Sequence, residues 1–244
     1  MQMHRLLVRT ELLSEGSPTL PPDAVRHLKV LRPKDGEEIE LFDGKGKWRV
    51  YRFCASSLRS DRAVERSEQS DDSLTLFACV TKGSRWDWTV EKATELGVTR
   101  IVPVISDRTI VRIPKADRAA KRARWQRIAE DAARQSDAKW LPEIVEAVDF
   151  RDALPLVRET TCFIGALTDP PSPTLAKAVE DARRKTGALR MPAVFVGPEG
   201  DFTPEELAAL RAIAIPASFG PTVLRAETAA IFAVSVLAAQ RAAF

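Results

Sequence analysis

Cysteine and histidine are scarce in this sequence, and their scarcity argues against several kinds of site. Cys54, Cys79 and Cys162 are odd in number and far apart, with neither CxxC nor metal-ligand spacing, so we expect small buried thiols. The only histidines are His4 and His27, too few for a histidine-based metal site. We therefore expect no bound metal ion.

Long hydrophobic runs are also missing from the sequence. The longest apolar stretch, Ala229 to Ala239, contains Ser235 and is too short to cross a bilayer. The N-terminal residues MQMHRLLVRTELL lack the pattern of a signal peptide. These absences predict a cytoplasmic protein that does not associate with membranes.

The 244 residues fall into two styles of sequence within an ordinary globular composition, 45% hydrophobic and 29% charged. In the N-terminal part, short strand-like runs alternate with turn signals at Asp35-Gly36 and Asp43-Gly44, which predicts a small β-rich module. After a polar stretch, strand-like and helical runs alternate, which predicts an α/β domain with a mostly parallel sheet. We place the boundary near Asp72 and expect domains at residues 1–72 and 73–244.

One segment concentrates positive charge, although the whole chain carries a formal net charge of only +3. From Arg112 to Arg127, seven basic residues stand against one acid, Asp117. A basic stripe on one helix suits a polyanion such as RNA, because each neutralised phosphate releases counterions. A solvated helix face is the alternative interpretation. Residues at helical spacing are expected to anchor this helix inward: Trp125, Ile128, Ala129, Ala132 and Ser136.

Two apolar runs near the C-terminus each end in a glycine-containing loop that leads into a helix, at residues 193–207 and 218–232. Gly197, Gly200 and Gly220 allow the backbone to approach a ligand closely or to adopt positive φ. We therefore place the chemistry of the protein at these two loops.

Two helix ends can be assigned from local signals. Thr203, Pro204 and Glu206 form an N-cap, a first-turn proline and a capping box, so a helix should begin there. Gly97 stands where a left-handed residue ends the preceding helix.

The loop chemistry argues against a phosphate-rich ligand. Neither GxxxxGK[ST] nor GxGxxG is present, and Glu199 and Asp201 flank Gly200, where two carboxylates would repel a pyrophosphate. A neutral or cationic nucleoside fits better, and S-adenosylmethionine is adenosine with a sulfonium and no phosphate. Alternatively, both carboxylates point to solvent or favour the N-terminus of the Thr203 helix.

Four motifs occur in order along the chain: Lys92 to Val98, Gln135-Ser136, Gly197 to Gly200, and Leu224 to Ala229. In this order they resemble the RsmE family of bacterial 16S rRNA (uridine-N3) methyltransferases. His27 to Arg32 and Phe42 to Gly44 resemble the family's N-terminal PUA-like RNA-binding barrel. The resemblance therefore runs over nearly the whole chain.

The resemblance implies a C-terminal SPOUT domain, an α/β fold whose chain threads a trefoil knot, in a homodimer. It implies S-adenosylmethionine as cofactor and the 16S rRNA of the small ribosomal subunit as partner, methylated at N3 of uridine 1498 on the assembled 30S subunit. Three loops would contact the cofactor: Ala166, Leu167 and Thr168; Val196, Gly197, Pro198, Glu199 and Gly200; and Phe219, Gly220, Val223, Leu224 and Arg225. The barrel and the basic helix would contact RNA through His27, Arg32, Arg112, Lys115, Arg118, Lys121, Arg122 and Arg124.

The reaction indicates which residues to look for. Methylation of uracil N3 needs removal of the N3 proton and stabilisation of charge on O2 and O4. We assign the stabilising cation to Arg225, and we assign to Glu227 the role of accepting the proton or orienting the loop. A capping and salt-bridge cluster is the alternative role for Glu227. Lys92 and Glu95, one helical turn apart, are expected to form a surface ion pair.

The sequence departs from the family pattern at several positions. Asp201 replaces the second glycine of GPEGG, and Pro221 and Val223 alter the second loop. We expect donor binding to persist, because aspartate tolerates left-handed backbone better than most residues. The arginine that often follows the glutamine and serine is missing, and Lys139 could supply that charge.

Three functions of different classes remain open on the residues alone. The first is a dimeric S-adenosylmethionine-dependent rRNA uridine N3-methyltransferase. The second is a non-catalytic RNA-binding or ribosome-assembly protein on the same fold. The third is a small-molecule enzyme with a nucleotide pocket, for which the basic helix would have no explanation.

Overall fold

A computed structural model of the chain describes residues 3–68, 73–165, 172–187 and 189–242. The chain divides into two compact units: Met1–Ser70 with Glu130–Leu141, and Asp71–Ala129 with Pro142–Phe244. The boundary expected near Asp72 lies outside the described residues, and the sequence did not indicate that residues 130–141 group with the first unit. Within the described ranges, no helix is both long and apolar enough to cross a membrane.

Within residues 3–68, the first unit has a five-stranded sheet and two helices. Its strands are β1 (His4–Leu7), β2 (Glu38–Phe42), β3 (Lys47–Cys54), β4 (Ser57–Arg59) and β5 (Glu65–Arg66), and its helices are a 3₁₀ helix (Thr10–Ser14) and α1 (Pro22–Leu31). The strand order is β1-β2-β3-β4, with β5 also paired to β3. Strands β1 and β2 run parallel, and the other pairs are antiparallel. The predicted β-rich module is confirmed, and α1 is an element that the sequence reasoning did not assign.

A buried charge network ties β1 and β2 to residues of the 130–141 segment within this unit. Arg5 donates to Glu40 at 2.8 Å and to the Ala133 carbonyl at 2.6 Å. Lys139 donates to both carboxylate oxygens of Glu40, at 2.8 and 2.7 Å, and its ammonium lies 4.8 Å from the centroid of the Trp48 ring. The charge that Lys139 was expected to offer to RNA is therefore used inside the protein.

The second unit is a seven-stranded sheet covered by helices. Its strands are β6 (Thr75–Cys79), β7 (Arg100–Ile105), β8 (Glu143–Ile144), β9 (Val148–Asp149), β10 (Thr161–Gly165), β11 (Pro192–Val196) and β12 (Ile215–Ala217). Its helices are α2 (Ser84–Glu95), α3 (Lys115–Gln135, whose last six residues group with the first unit), α4 (Phe150–Arg158), α5 (Leu175–Thr186), α6 (Pro204–Arg211) and α7 (Ala226–Ala242). The order is β12-β10-β11-β6-β7-β8, with β9 on β7, and every described pair is parallel. The predicted parallel sheet is confirmed.

Both faces of this sheet are buried, which explains why its strands read as continuous apolar runs. In β6, Leu76 and Ala78 belong to one apolar core, with residues of α2, α3, α5 and α7, and Phe77 and Cys79 belong to the other, with residues of α4 and α6. Because side chains alternate along a strand, one segment supplies both cores. Ser218, Phe219 and Gly220 begin the loop that follows β12.

Tryptophans anchor the basic helix α3 from one side. Trp125 and Trp86 are both buried and meet edge to face, with ring centroids 5.4 Å apart. Ala129 and Ala132 are also buried, whereas Ile128 is half-buried. The inward face expected for this helix is confirmed at Trp125, Ala129 and Ala132, whereas Ser136 lies just beyond the helix and is half-buried.

Cysteines are reduced in this structure and differ in burial. Cys79 and Cys162 are buried, as expected, but Cys54 is only half-buried. Burial raises the pKa of the Cys79 thiol to about 12, so this group is protonated and unreactive at neutral pH.

The two helix ends assigned from the sequence are confirmed. The Thr203 hydroxyl accepts from the Glu206 amide, and the Glu206 carboxylate accepts from the Thr203 amide, which completes the capping box of α6. Gly97 has a φ of 78°, and Val98 donates to the Ala93 carbonyl at 3.1 Å, a Schellman ending for α2.

Candidate active site

A cavity of about 390 Å³ opens where three neighbouring strands end. Strands β12, β10 and β11 are adjacent and parallel, so the loops after their carboxyl ends meet at one edge of the sheet. Open parallel sheets commonly bind ligands at this edge. The cavity lies at the position where the strand order predicts a binding site.

Nine of the predicted cofactor-binding residues line this cavity: Val196, Gly197, Pro198, Glu199, Phe219, Gly220, Val223, Leu224 and Arg225. Gly200 does not line it. Ala166, Leu167 and Thr168 lie outside the described residues. The lining also includes residues that the sequence reasoning did not assign to cofactor binding: Gly165, Phe195, Asp201, Ser218, Thr222, Ala226 and Ala229.

Two glycines at the cavity make room for aromatic rings. A Cβ on Gly165 would lie 2.8 Å from the Phe219 ring, and a Cβ on Gly197 would lie 3.0 Å from the Phe202 ring. Gly220 has a φ of 125°, a conformation that side chains oppose. Gly165 and Gly197 therefore leave room for the neighbouring rings. Of these three positions, only 220 needs glycine because its φ is positive.

The left-handed residue of the first loop is Asp201, not a glycine. Its φ is 59°, its amide donates to the Pro198 carbonyl at 3.0 Å, and its Oδ1 accepts from the Phe202 amide at 2.7 Å. The expectation that aspartate can hold this backbone is confirmed. The carboxylate supports the turn from within, in addition to lining the cavity.

Substitutions at Asp201 should separate backbone strain from charge. Asp201→Ala is expected to lose about 1 kcal/mol of stability, because alanine tolerates positive φ less well and cannot accept the Phe202 amide bond. Thermal unfolding should show a midpoint lower by roughly 2–4 °C. The matched control Asp201→Gly relieves the strain and should melt close to the wild type. An Asp201→Ala protein as stable as the wild type would contradict this role.

Arg108 holds the first loop from the segment after β7. Its Nη1 donates to the carbonyls of Gly200 and Phe202, at 3.1 and 3.3 Å. The Glu206 carboxylate, besides completing the capping box, accepts from the Asp107 amide at 2.9 Å. Sequence reasoning found the capping box but not these links, because they join residues 92 to 99 positions apart.

Arg225 lies at the entry of the second loop into α7, and it lines the cavity. The side chain is exposed, and its guanidinium makes no hydrogen bond or ion pair among the described residues. Of the two assigned catalytic residues, Arg225 is the one that lines the cavity, and no described residue forms an ion pair with it.

Glu227 points away from the cavity, toward α2. Its Oε1 lies 3.7 Å from Nε of Arg85, whose Nη1 lies 3.8 Å from Oε1 of Glu199. Its Oε2 is buried beside Thr81 and Trp86 and has no hydrogen-bond partner among the described residues. The first turn of α7 directs Ala226 and Ala229 to the cavity, so residue 227 faces another side of the helix. This geometry favours the salt-bridge alternative, with Arg85 joining a carboxylate from each loop.

All four arginines predicted to contact RNA near α3 have partners inside the second unit. They are Arg112 with the Ser106 and Asp107 carbonyls, Arg118 with Asp149, Arg122 with the Ile144 carbonyl, and Arg124 with both carboxylate oxygens of Asp87. Lys115 and Lys121 are exposed and make no such contact among the described residues. RNA binding stays a prediction for all six residues, and the two lysines are the ones with uncommitted charge.

The two RNA contacts predicted in the first unit differ in charge. Burial lowers the pKa of His27, and nearby Arg134 lowers it further, so His27 is neutral at pH 7 and poorly suited to a phosphate. Arg32 is exposed and ends α1 with a φ of 49°.

The surface ion pair expected between Lys92 and Glu95 is confirmed at 2.8 Å.

Within the part of the chain that the structure describes, no cluster of histidine, cysteine or carboxylate side chains could hold a metal ion. The cavity instead combines apolar walls, backbone groups and a few charged side chains.

Comparison with known proteins connects this geometry to a family. The RNA methyltransferase domain family matches residues 68–238, and the RNA methyltransferase PUA domain family matches residues 20–53. The chain is 31% identical to ribosomal RNA small subunit methyltransferase E of Synechocystis sp., an alignment that covers 95% of this chain and 76% of that protein. The chain belongs to the ribosomal RNA small subunit methyltransferase E family.

Solved structures of methyltransferases support the same assignment. The methyltransferase E of Neisseria gonorrhoeae, bound to S-adenosylmethionine, is 32% identical, with a TM-score of 0.79 and 98% coverage of both chains. A methyltransferase from Legionella pneumophila, in complex with bound S-adenosylmethionine, is 29% identical, with a TM-score of 0.84 and 98% coverage of both chains. The fold class expected from the sequence is therefore confirmed: the first unit is PUA-like, and the second is a SPOUT-type α/β unit.

Proposed function

We propose that this chain transfers the methyl group of S-adenosylmethionine to N3 of a uridine in 16S rRNA. The observation that carries the proposal is the cavity at the ends of β10, β11 and β12, lined in part by Arg225, which no described residue pairs. By resemblance the target is uridine 1498, on the assembled 30S subunit. The site of action would be the cytoplasm, where bacterial ribosomes are assembled.

The cavity residues fit S-adenosylmethionine. A volume of about 390 Å³ suits a ligand of nucleoside size. Phe195, Val196 and Leu224 offer apolar contact, and the loop backbones offer hydrogen-bonding groups. Glu199 and Asp201 add negative charge, which tolerates a sulfonium and opposes phosphates. These residues would hold the donor.

The bound donor would supply an electrophilic methyl group on its sulfonium. The protein must then orient the uracil and stabilise the charge that remains when N3 loses its proton. Arg225 can do this, because a guanidinium offers several N–H donors in a plane and stays charged at all relevant pH values. Because Arg225 has no partner in the described part of the chain, these donors are free for uracil oxygens.

Replacement of Glu227 distinguishes a catalytic from a positioning role. Since Glu227 lies off the cavity and 3.7 Å from Arg85, we expect Glu227→Gln to lower kcat by no more than about fivefold, the equivalent of ~1 kcal/mol for a partly exposed ion pair. Methyl transfer and donor affinity should be measured separately. A hundredfold loss of kcat with unchanged donor affinity would instead make Glu227 the proton acceptor.

Calorimetry with S-adenosylmethionine separates the methyltransferase from a non-catalytic RNA-binding protein on the same fold. The proposal predicts saturable binding that Gly220→Val weakens, because valine opposes the φ of 125° and would distort the second loop. Absence of binding at millimolar donor would contradict it.

The homodimer and the trefoil knot stay predictions from the family. Exposed apolar side chains support a partner surface: Val223, 87% exposed, lines the cavity, and Phe232, 39% exposed, follows on α7. Light scattering should give twice the mass of the 27.0 kDa chain.

We expect the RNA to contact Lys115 and Lys121, whose ammonium groups have no partner among the described residues.

A further inference from the structure

A second cavity, of about 490 Å³, lies entirely within the first unit. Its sheet wall is one face of β3, formed by Val50, Arg52 and Cys54, which alternate along the strand. Arg52 is directly opposite Glu38 of β2 and Arg59 of β4, and both of these residues also line the cavity. Three charged side chains therefore stand in a row across three strands.

The pairing of Arg52 with Arg59 is unfavourable in the isolated protein. Side chains directly opposite on antiparallel strands lie about 5 Å apart at Cβ, and like charges there destabilise the sheet. Neither guanidinium makes a hydrogen bond or ion pair among the described residues, and both side chains are exposed. An anion placed between them would remove the repulsion.

The neighbouring charges leave this pair uncompensated. Arg62 donates to Glu38, so the carboxylate opposite Arg52 is already paired. Asp61, exposed, is the remaining acid among the cavity residues. The net charge at the cavity is positive, with Arg52 and Arg59 as the free cations.

Hydrogen bonds from the other face of β3 and between loops hold the residues that line the cavity beside the sheet, Gly16 and Ser60 among them. Arg49 donates to the carbonyls of Leu13 and Ser60, each at 3.0 Å, and the Tyr51 hydroxyl donates to the Glu15 carbonyl at 3.0 Å. The Ser60 amide donates to the Gly16 carbonyl at 2.8 Å. The cavity is thus bounded by fixed backbone, which spares a ligand the entropy of ordering it.

We propose that this cavity binds a phosphodiester group of the RNA substrate through Arg52 and Arg59. Paired guanidinium groups match phosphate oxygens in geometry as well as charge. The inference rests on the proposed function, because that function makes RNA the substrate. It adds a contact surface that differs from the predicted His27 and Arg32 contacts on α1.

The test compares 16S rRNA binding as a function of salt for matched double variants. Arg52→Gln/Arg59→Gln should bind more weakly, with the slope of log K against log salt flatter by about 1.5, since two phosphate contacts are lost. Arg151→Gln/Arg158→Gln removes two exposed charges from α4 and should change the slope much less. Arg52→Lys/Arg59→Lys should keep most of the slope, and Asp61→Asn should strengthen binding.

The melting temperature shows whether Arg52 and Arg59 stabilise the fold or only bind RNA. Because the two arginines repel each other, the Arg52→Gln/Arg59→Gln protein should melt at the wild-type temperature or above it. A lower melting temperature together with weaker binding would assign a structural role and overturn the proposal. An unchanged salt slope would overturn it too, as would equal flattening in the α4 control. Inorganic phosphate should compete only weakly; strong competition with an unchanged RNA slope would indicate a free-phosphate site.

Failure of this inference is distinguishable from failure of the proposed function. If the wild type binds S-adenosylmethionine and methylates RNA while the double variant keeps its salt slope, the second cavity is not the contact. If the wild type binds no donor, the proposed function fails whatever the slope.

Discussion

Arg225→Gln is expected to lower kcat for methyl transfer by about a hundredfold or more, the loss typical when one donor to a developing anion is removed. The guanidinium is exposed at the cavity and unpaired among the described residues, so its donors are free to bind the uracil. Donor affinity should change little, because removing a cation does not weaken the binding of a cationic sulfonium. Single-turnover kinetics with saturating donor, together with calorimetry, measures both quantities.

Two further variants make this result specific. Arg225→Lys keeps the charge but loses the planar fork, so its rate should fall between those of the wild type and Arg225→Gln. Arg190→Gln removes an exposed arginine that does not line the cavity and should leave kcat unchanged. An Arg225→Gln enzyme with wild-type kcat would remove this residue from the chemistry.

Phe195→Ala is expected to cost about 3–5 kcal/mol of folding stability. The Phe195 side chain is 1% exposed, and its ring packs against Phe77 at 5.6 Å, Phe150 at 6.0 Å and Phe202 at 5.4 Å. Thermal unfolding should show a midpoint lower by roughly 10 °C or more. Donor affinity should fall as well, because Phe202 fills the space left by Gly197 in the first loop.

A matched core variant separates the effect on the loop from the effect on stability. Phe163 is equally buried but belongs to the core on the other face of the sheet, so Phe163→Ala should lower the melting temperature similarly. Below both melting temperatures, only Phe195→Ala should show clearly weaker donor binding. Equal donor affinity in the two variants would contradict the support that Phe195 gives to the loop.

Local signals predicted much of the architecture because they act over a few residues. The capping box at Thr203 and the glycine at position 97 depend on neighbouring backbone groups alone, and both are present as expected. The alternation of apolar runs predicted a parallel sheet, since strands buried on both faces read as continuous hydrophobic segments. The two glycine loops were expected to form one pocket, and their residues line one cavity.

The sequence did not predict the ion pairs between residues that lie far apart in the chain. Nothing near Arg85 indicates that it lies within 4 Å of both Glu199 and Glu227, or that Glu227 turns away from the cavity. The arginines of the basic segment were counted as free charge, yet Arg118 and Arg124 pair with Asp149 and Asp87. A charged side chain is free to bind a ligand only if the folded protein does not pair it internally, and the sequence alone does not show which side chains are paired.

The most direct test of the account is transfer of tritiated methyl groups from S-adenosylmethionine to small-subunit particles lacking the modification, followed by mapping of the labelled base. We expect N3-methyluridine at a single position of 16S rRNA, with the label lost in Arg225→Gln. Label on a base other than uridine, or no transfer by a protein that binds the donor, would contradict it.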